Sequence, residues 1–168
     1  MSRSNPNKRK HREARKTAQI VVEGFTEEAF CKYLKSEFAR DCGINVEIHN
    51  SRGGSPMDIV RSALKRPGFD RTLVVYDTDI DLPEVWAAKA RTAGHKMVAS
   101  NPCIEALFLE ILGESVPTDT DGCKRAFSKY MTDQQKCNYR SYGKVFSKEL
   151  LKGSSHPSIK CLLSVFGL

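Results

Sequence analysis

The chain contains no uninterrupted apolar run of the roughly 18 residues that a membrane span needs, so no crossing of a bilayer is expected. Its first residues lack the apolar core of a secretory leader. No GxxxxGK[ST] motif is present, so hydrolysis of nucleotides by a P-loop is not expected. Six cysteines (Cys31, Cys42, Cys103, Cys123, Cys137 and Cys161) include no CxxC pair, and their spacing matches no zinc site. With no leader they are expected to be reduced thiols, several of them in the core, and cytoplasm is the expected compartment. The histidines, His11, His49, His95 and His156, show no metal-ligand spacing. No internal repeat is visible.

At 168 residues the chain is long enough for one domain with its own core. Its charge is unevenly spread. Residues 1–18 carry seven Lys or Arg against one acid, residues 19–118 eleven against fifteen, and residues 119–168 nine against four. An acidic middle between basic ends suits a polyanionic substrate, with cations offsetting the acids and Lys or Arg holding phosphates. Residues 1–17 read as a basic tail, disordered when free. Nucleic-acid contact is its alternative role.

The body alternates strand and helix. Gln19–Val22, Ile44–His49, Thr72–Tyr76 and His95–Ala99 read as strands. Helices are expected over Thr26–Arg40, Pro56–Lys65, Pro83–Ala93 and Ile104–Leu112. Strands separated by helices of this length imply an α/β fold with a parallel sheet. Gly122–Met131, Tyr142–Lys152 and Ser158–Phe166 read as further helices, a carboxyl-terminal extension over residues 113–168.

Thr72–Asp81, TLVVYDTDID, carries the strongest chemical signal: a buried strand running out into Asp77, Asp79 and Asp81. Side chains at alternate strand positions share a side, so these charges repel unless a cation stands between them. Hard oxygen ligands at such a place suit Mg²⁺. Aspartate is also a common turn former, so a plain polar exit from the strand explains the same letters. A second acid, Glu23, ends the first strand and is followed by Gly24, which allows a tight turn. Ligands of open α/β sheets bind at the carboxyl ends of strands, and an acid ending a buried strand is poorly placed for stability alone. Thr26 is a natural N-cap for the helix that follows. Glu27 and Glu28 suit its first turn, and Glu27, four residues after Glu23, could face the same site.

Arg52, Gly53 and Gly54 follow the second strand and could approach a phosphate through backbone N–H groups. Tyr139–Lys144 (YRSYGK) offers two aromatics for base stacking, with Arg140 and Lys144 for phosphates. The same letters also describe a buried aromatic core with solvated basic residues.

Glu23-Gly24 after one strand and Asp77-x-Asp79 after another, about fifty residues later with a βα unit between, resemble the Toprim domain. The resemblance covers residues 18–112. VEGFTEEAF, VVYDTDID and SNPCIEALFLE look most like the RloB-like proteins of that superfamily, with Ser100–Cys103 and Glu105 matching their signature after the fourth strand. It implies a Toprim, Rossmann-like parallel sheet with flanking helices. Glu23 would bind metal or act as general acid and base, Asp77 and Asp79 would hold Mg²⁺ (or Mn²⁺), and Glu27 would complete a metal site. Glu105 could extend this set, while Asn101 is better read as a helix cap than as a ligand. Asp81 matches the pattern less well. A lysine of the basic end would stabilise the leaving group, with Lys144 the candidate. The implied function is a Mg²⁺-dependent endonuclease acting on DNA or RNA in prokaryotic defence, often beside a partner ATPase; dimers occur among such nucleases. The alternative is a Toprim subunit that binds nucleic acid or an ATPase and does no chemistry. Primase activity is disfavoured, since nothing resembles a zinc-binding template module.

Overall fold

A computed structural model describes residues 15–40 and 42–168; the expected basic tail therefore lies almost wholly outside the described residues. Four strands, β1 (Lys16–Val22), β2 (Ile44–Asn50), β3 (Arg71–Asp77) and β4 (Lys96–Ser100), form one sheet in the order β2-β1-β3-β4. Every pairing is parallel. The strands alternate with α1 (Phe25–Phe38), α2 (Pro56–Leu64), α3 (Glu84–Thr92) and α4 (Ile104–Ile111). This is the α/β architecture that the strand–helix alternation implies, and the element bounds agree with expectation to within a few residues.

Both faces of the sheet are covered. Ile20 and Val22 of β1, Leu73 and Val75 of β3, and Val98 of β4 pack with Phe30 and Leu34 of α1 and Phe108 of α4. The intervening residues, Val21 and Val74, face the other way and pack with Ile59 and Val60 of α2 and Ala90 of α3. The two-residue period of a strand produces this division, and burial on both sides explains the unbroken apolar runs in β1 and β3.

Beyond α4 come α5 (Thr120–Phe127), α6 (Asp133–Lys136), a 3₁₀ turn (Tyr139–Lys144), α7 (Lys148–Gly153) and α8 (Pro157–Ser164). Phe127, Tyr142, Phe146, Leu151, Ile159 and Phe166 join the core of the α1–α4 face, so residues 113–168 share that core. The single helix expected over Tyr142–Lys152 is two pieces, because Ser147 caps a new helix by accepting from the Leu150 N–H at 3.1 Å. Tyr142 is buried in an aromatic cluster with Phe30 and Phe108. Its hydroxyl donates to the backbone oxygen of Lys136 (2.9 Å), with that of Thr26 also within reach at 3.2 Å. It is therefore a core residue and cannot stack on a base. Among the described residues, no helix is long and apolar enough to cross a membrane.

The strand order positions the site. The chain leaves β1 toward β2, then returns to the opposite side of β1 as β3. The loop after β1 leads to α1 on one face, and the loop after β3 leads to α3 on the other. Such a reversal opens a crevice at the carboxyl ends of the two strands. Glu23 and Asp77 stand at those two ends.

Candidate functional site

Val22 pairs with Val75, which places the residues just beyond β1 beside the end of β3. The Asp77 N–H points to the Glu23 carboxylate, with Oε2 at 3.4 Å. Asp77 alternates with Leu73 and Val75, so its side chain enters the layer under α1 and α4. Glu27, in the first turn of α1, and Glu105, in the first turn of α4, occupy that same layer and are only 6% and 2% exposed. Acids from four separate segments therefore converge. Asp79 is exposed past the strand end, yet its charge still acts on Glu23 and Asp77.

The crowding is visible in the proton affinities. Burial, reinforced by the charges of Glu27, Glu23, Glu105 and Asp79, pushes Asp77 up to about 9. Burial and the charges of Glu105 and Glu23 push Glu27 up to about 7, against the lowering effect of backbone N–H groups. Glu23 is also raised, chiefly by burial and then by Asp79, although the Asp77 N–H and Lys124 pull it down. Asp77 Oδ1 is buried with no hydrogen-bond partner among the described residues, as is the hydroxyl of Ser100, its register partner on β4. Buried atoms of this kind are normally paired by protein groups, water or an ion.

One residue at this site has no local signature. Lys136, at the end of α6, is 5% exposed, and its Nζ lies 2.9 Å from Glu105 Oε1 and 2.8 Å from Asp133 Oδ1. Burial alone would lower its pKa, and the bonds to Asp133 and Glu105 outweigh that, so it is raised. Thr132 and Gln135 form a capping box that starts α6, and this much is readable as S/T-x-x-Q. Nothing local says that the lysine turns inward to an acid 31 residues away. Lys144, the expected leaving-group lysine, is exposed, and the cations acting on the acids are Lys136 and Lys124.

With Glu105 neutralised, the oxygens left to hold a cation are those of Glu23, Glu27 and Asp77, with Asp79 at the rim. Among the described residues, no three Asp, Glu, His or Cys side chains stand close enough to close around one ion by themselves. A cation held here would have to keep several of its waters, as Mg²⁺ does where it takes few protein carboxylates. The orphaned Asp77 oxygen and the raised affinities of its neighbours fit the same ion. A soft-metal or thiolate site fits less well, because burial and the adjacent Glu105 push Cys103 up to about 12.

Gly24 makes room for this arrangement. A Cβ there would meet Glu27 Oε2 at 3.0 Å. Gly24→Ala is therefore expected to shift the Glu27 carboxyl while changing stability by less than about 1 kcal/mol, since the contact is the far end of a flexible side chain. Thermal melting, alongside Mg²⁺ affinity read as a melting shift, checks the separation; unchanged Mg²⁺ affinity would rule out a role for the turn.

Other expectations are corrected. Gly24, not Thr26, is the N-cap of α1, and Thr26 lies inside the helix. Asn101 does not cap α4, whose N-cap is Cys103. Its Oδ1 accepts from the Thr78 hydroxyl at 3.1 Å, while the Thr78 N–H donates to the Ser100 and Pro102 oxygens, tying the β4–α4 loop to the β3–α3 loop. Glu28 turns away from the acids, as helix-start chemistry implies: it pairs with Lys32 at 2.6 Å and accepts from Asn50. Asp81 is exposed.

Comparison with protein-family models, curated proteins and solved structures finds no match to this chain, so the chemistry of the site is what bears on function.

Proposed function

We propose that the chain is a Toprim-type, Mg²⁺-dependent endonuclease that hydrolyses phosphodiester bonds of DNA or RNA, with Mn²⁺ able to replace Mg²⁺. The observation that carries this reading is the meeting of Glu23, Glu27, Asp77 and Glu105 at the carboxyl ends of β1 and β3, with an Asp77 oxygen left unpaired. A bound Mg²⁺ would supply charge neutralisation at the phosphate and a more acidic water. Asp77 and Glu27 are the residues to hold it, with Glu23 and Asp79 at the open side. Glu23, half-buried and raised above its ordinary value, is placed to accept a proton at the rim. Lys136 keeps Glu105 fixed and neutralised, so that repulsion inside the cluster is limited to the other acids. Lys124, close enough to act on Glu23, is placed to meet a phosphate.

A second reading, a Toprim subunit that binds nucleic acid or a partner ATPase without chemistry, draws support from the spacing of the acids, which do not close around an ion by themselves. The RloB-like resemblance extends the first reading to prokaryotic defence. Incubation with plasmid, single-stranded DNA and transfer RNA in Mg²⁺ separates the two readings. Cleavage is expected in at least one substrate, lowered at least about a hundredfold in Glu23→Gln. Binding without cleavage in the parent protein favours the second reading.

A further inference from the structure

The loop Asn50–Gly54 and the exposed start of α1 enclose a cleft of about 580 Å³ beside the acids, lined by Phe25, His49, Asn50, Ser51, Arg52 and Gly53 among others. Its volume is in the range of small-molecule sites. Phe25 is 66% exposed, although it directly follows the turn at Gly24. With two-thirds of its surface open to solvent, the Phe25 ring contributes little to the core.

The loop that carries Arg52 is firmly held. Arg52 adopts a left-handed backbone (φ 63°), which a non-glycine residue rarely does, and Gly53 and Gly54 continue with φ of 84° and 113°. This path is secured on several sides. The Ser51 N–H donates to the Val22 oxygen at 2.9 Å, and the Gly53 N–H to the Glu23 oxygen at 2.8 Å. The Arg52 N–H donates to Asn50 Oδ1 at 2.7 Å. The cleft is thereby fastened to the residue that ends β1.

Its charges are sorted too. The two acids on its wall are engaged: Glu28 by Lys32 and Asn50, and Asp58 by Ser55 and Arg61. The Arg52 guanidinium enters no ion pair among the described residues. Burial, then Arg66 and Arg52, lower the His49 pKa against the effect of Glu28, and this lowering favours the neutral ring. One free cation, one exposed ring and neutral hydrogen-bonding groups remain.

We infer that this cleft binds one unpaired nucleotide of a nucleic-acid strand, its base stacked on Phe25 and its phosphate held by Arg52, next to the acidic crevice. A base in a duplex has its faces covered by neighbouring pairs and cannot enter a concave site of this size; an unpaired base can. Resting on the nuclease reading, this makes single-stranded or looped segments the substrate class.

The test uses the full chain in EDTA, where no cleavage occurs, with fluorescein-labelled 12-mers of single-stranded DNA, the same sequence as RNA, and the DNA duplex. Phe25→Ala is expected to weaken single-strand binding about tenfold and leave duplex binding unchanged. Phe25→Trp is expected to retain it, and Arg52→Ala to reduce the salt dependence by about one phosphate contact. Comparison of the DNA and RNA strands shows which sugar is preferred. Melting of the variants controls for folding, which Phe25 does not support. Equal losses on duplex and single strand, or no loss in Phe25→Ala, overturn the cleft, as does a parent chain that binds no strand. Cleavage measured separately in Mg²⁺ tells the two readings apart: a cutting enzyme indifferent to Phe25→Ala loses only the cleft, and a stacking-dependent binder that never cuts loses only the nuclease.

Discussion

Lys136→Met is expected to destabilise the protein by about 3 kcal/mol at pH 7, because it strands the Glu105 carboxylate in the interior. Glu105 and Lys136 are both nearly inaccessible and 2.9 Å apart. The attraction between them chiefly offsets the desolvation of two charges. Removing one partner exposes the full penalty of the other. Lys136→Met combined with Glu105→Gln is accordingly expected to recover more than half of the loss, since neither charge remains to be buried. Urea denaturation of the parent, both single variants and the double variant reads the coupling directly. A loss under about 1 kcal/mol in Lys136→Met, or no recovery in the double variant, would show that the pair is not what holds α6 against α4.

Asp77→Asn is expected to act in the opposite direction on stability while abolishing cleavage. The sign follows from the proton affinities. Unfolded, Asp77 ionises near its ordinary 3.8; folded, it holds its proton up to about 9. Below pH 4 both states are protonated and the site carries no penalty. As pH rises further the unfolded chain gains a solvated charge that the folded chain refuses, so stability falls up to the folded pKa. Glu27 adds to this fall between its ordinary 4.5 and about 7. The metal-free parent is therefore expected to lose about 4 kcal/mol or more between pH 5 and pH 8, most of it from Asp77. Asp77→Asn removes the larger part of that slope and melts higher at pH 8.

Mg²⁺ should reverse the parent's loss, increasingly so with pH, because ligation requires the deprotonated carboxylates. Melting curves from pH 5 to 9, in EDTA and in millimolar Mg²⁺, test this for parent and variant. Equal pH slopes in the two proteins would remove Asp77 from the centre of the site. A variant that melts higher and does not cut is the trade-off expected where an acid serves chemistry at the expense of stability.

These results concern residues of unequal legibility. The strand–helix alternation is local, carried by two- and four-residue periods, and so the α/β body could be read directly. Glu23 and Asp77 were equally visible, because an acid ending an apolar strand is conspicuous wherever the strand lies in the sheet. Glu27 stands out by its spacing from Glu23 and is buried in the cluster. Lys144 stands out by its basic, aromatic surroundings and is exposed, whereas Lys136, which carries no such signal, is the lysine that meets Glu105. Both lie in a segment whose letters describe short helices and nothing about which side faces inward.

What the chain determined by itself is therefore the order of strands and helices and the presence of acids at two strand ends, since each depends on neighbours a few positions away. The tertiary structure decided the order β2-β1-β3-β4, which sets Glu23 beside Asp77. It also decided the burial of Tyr142, the pairing of Lys136 with Glu105, and the meeting of Phe25 and Arg52 in one cleft. Those depend on how residues 113–168 pack over α1 and α4 and on how the loop after β2 folds back to β1. Contacts between segments tens of residues apart are set by packing of whole surfaces, and no local period encodes them.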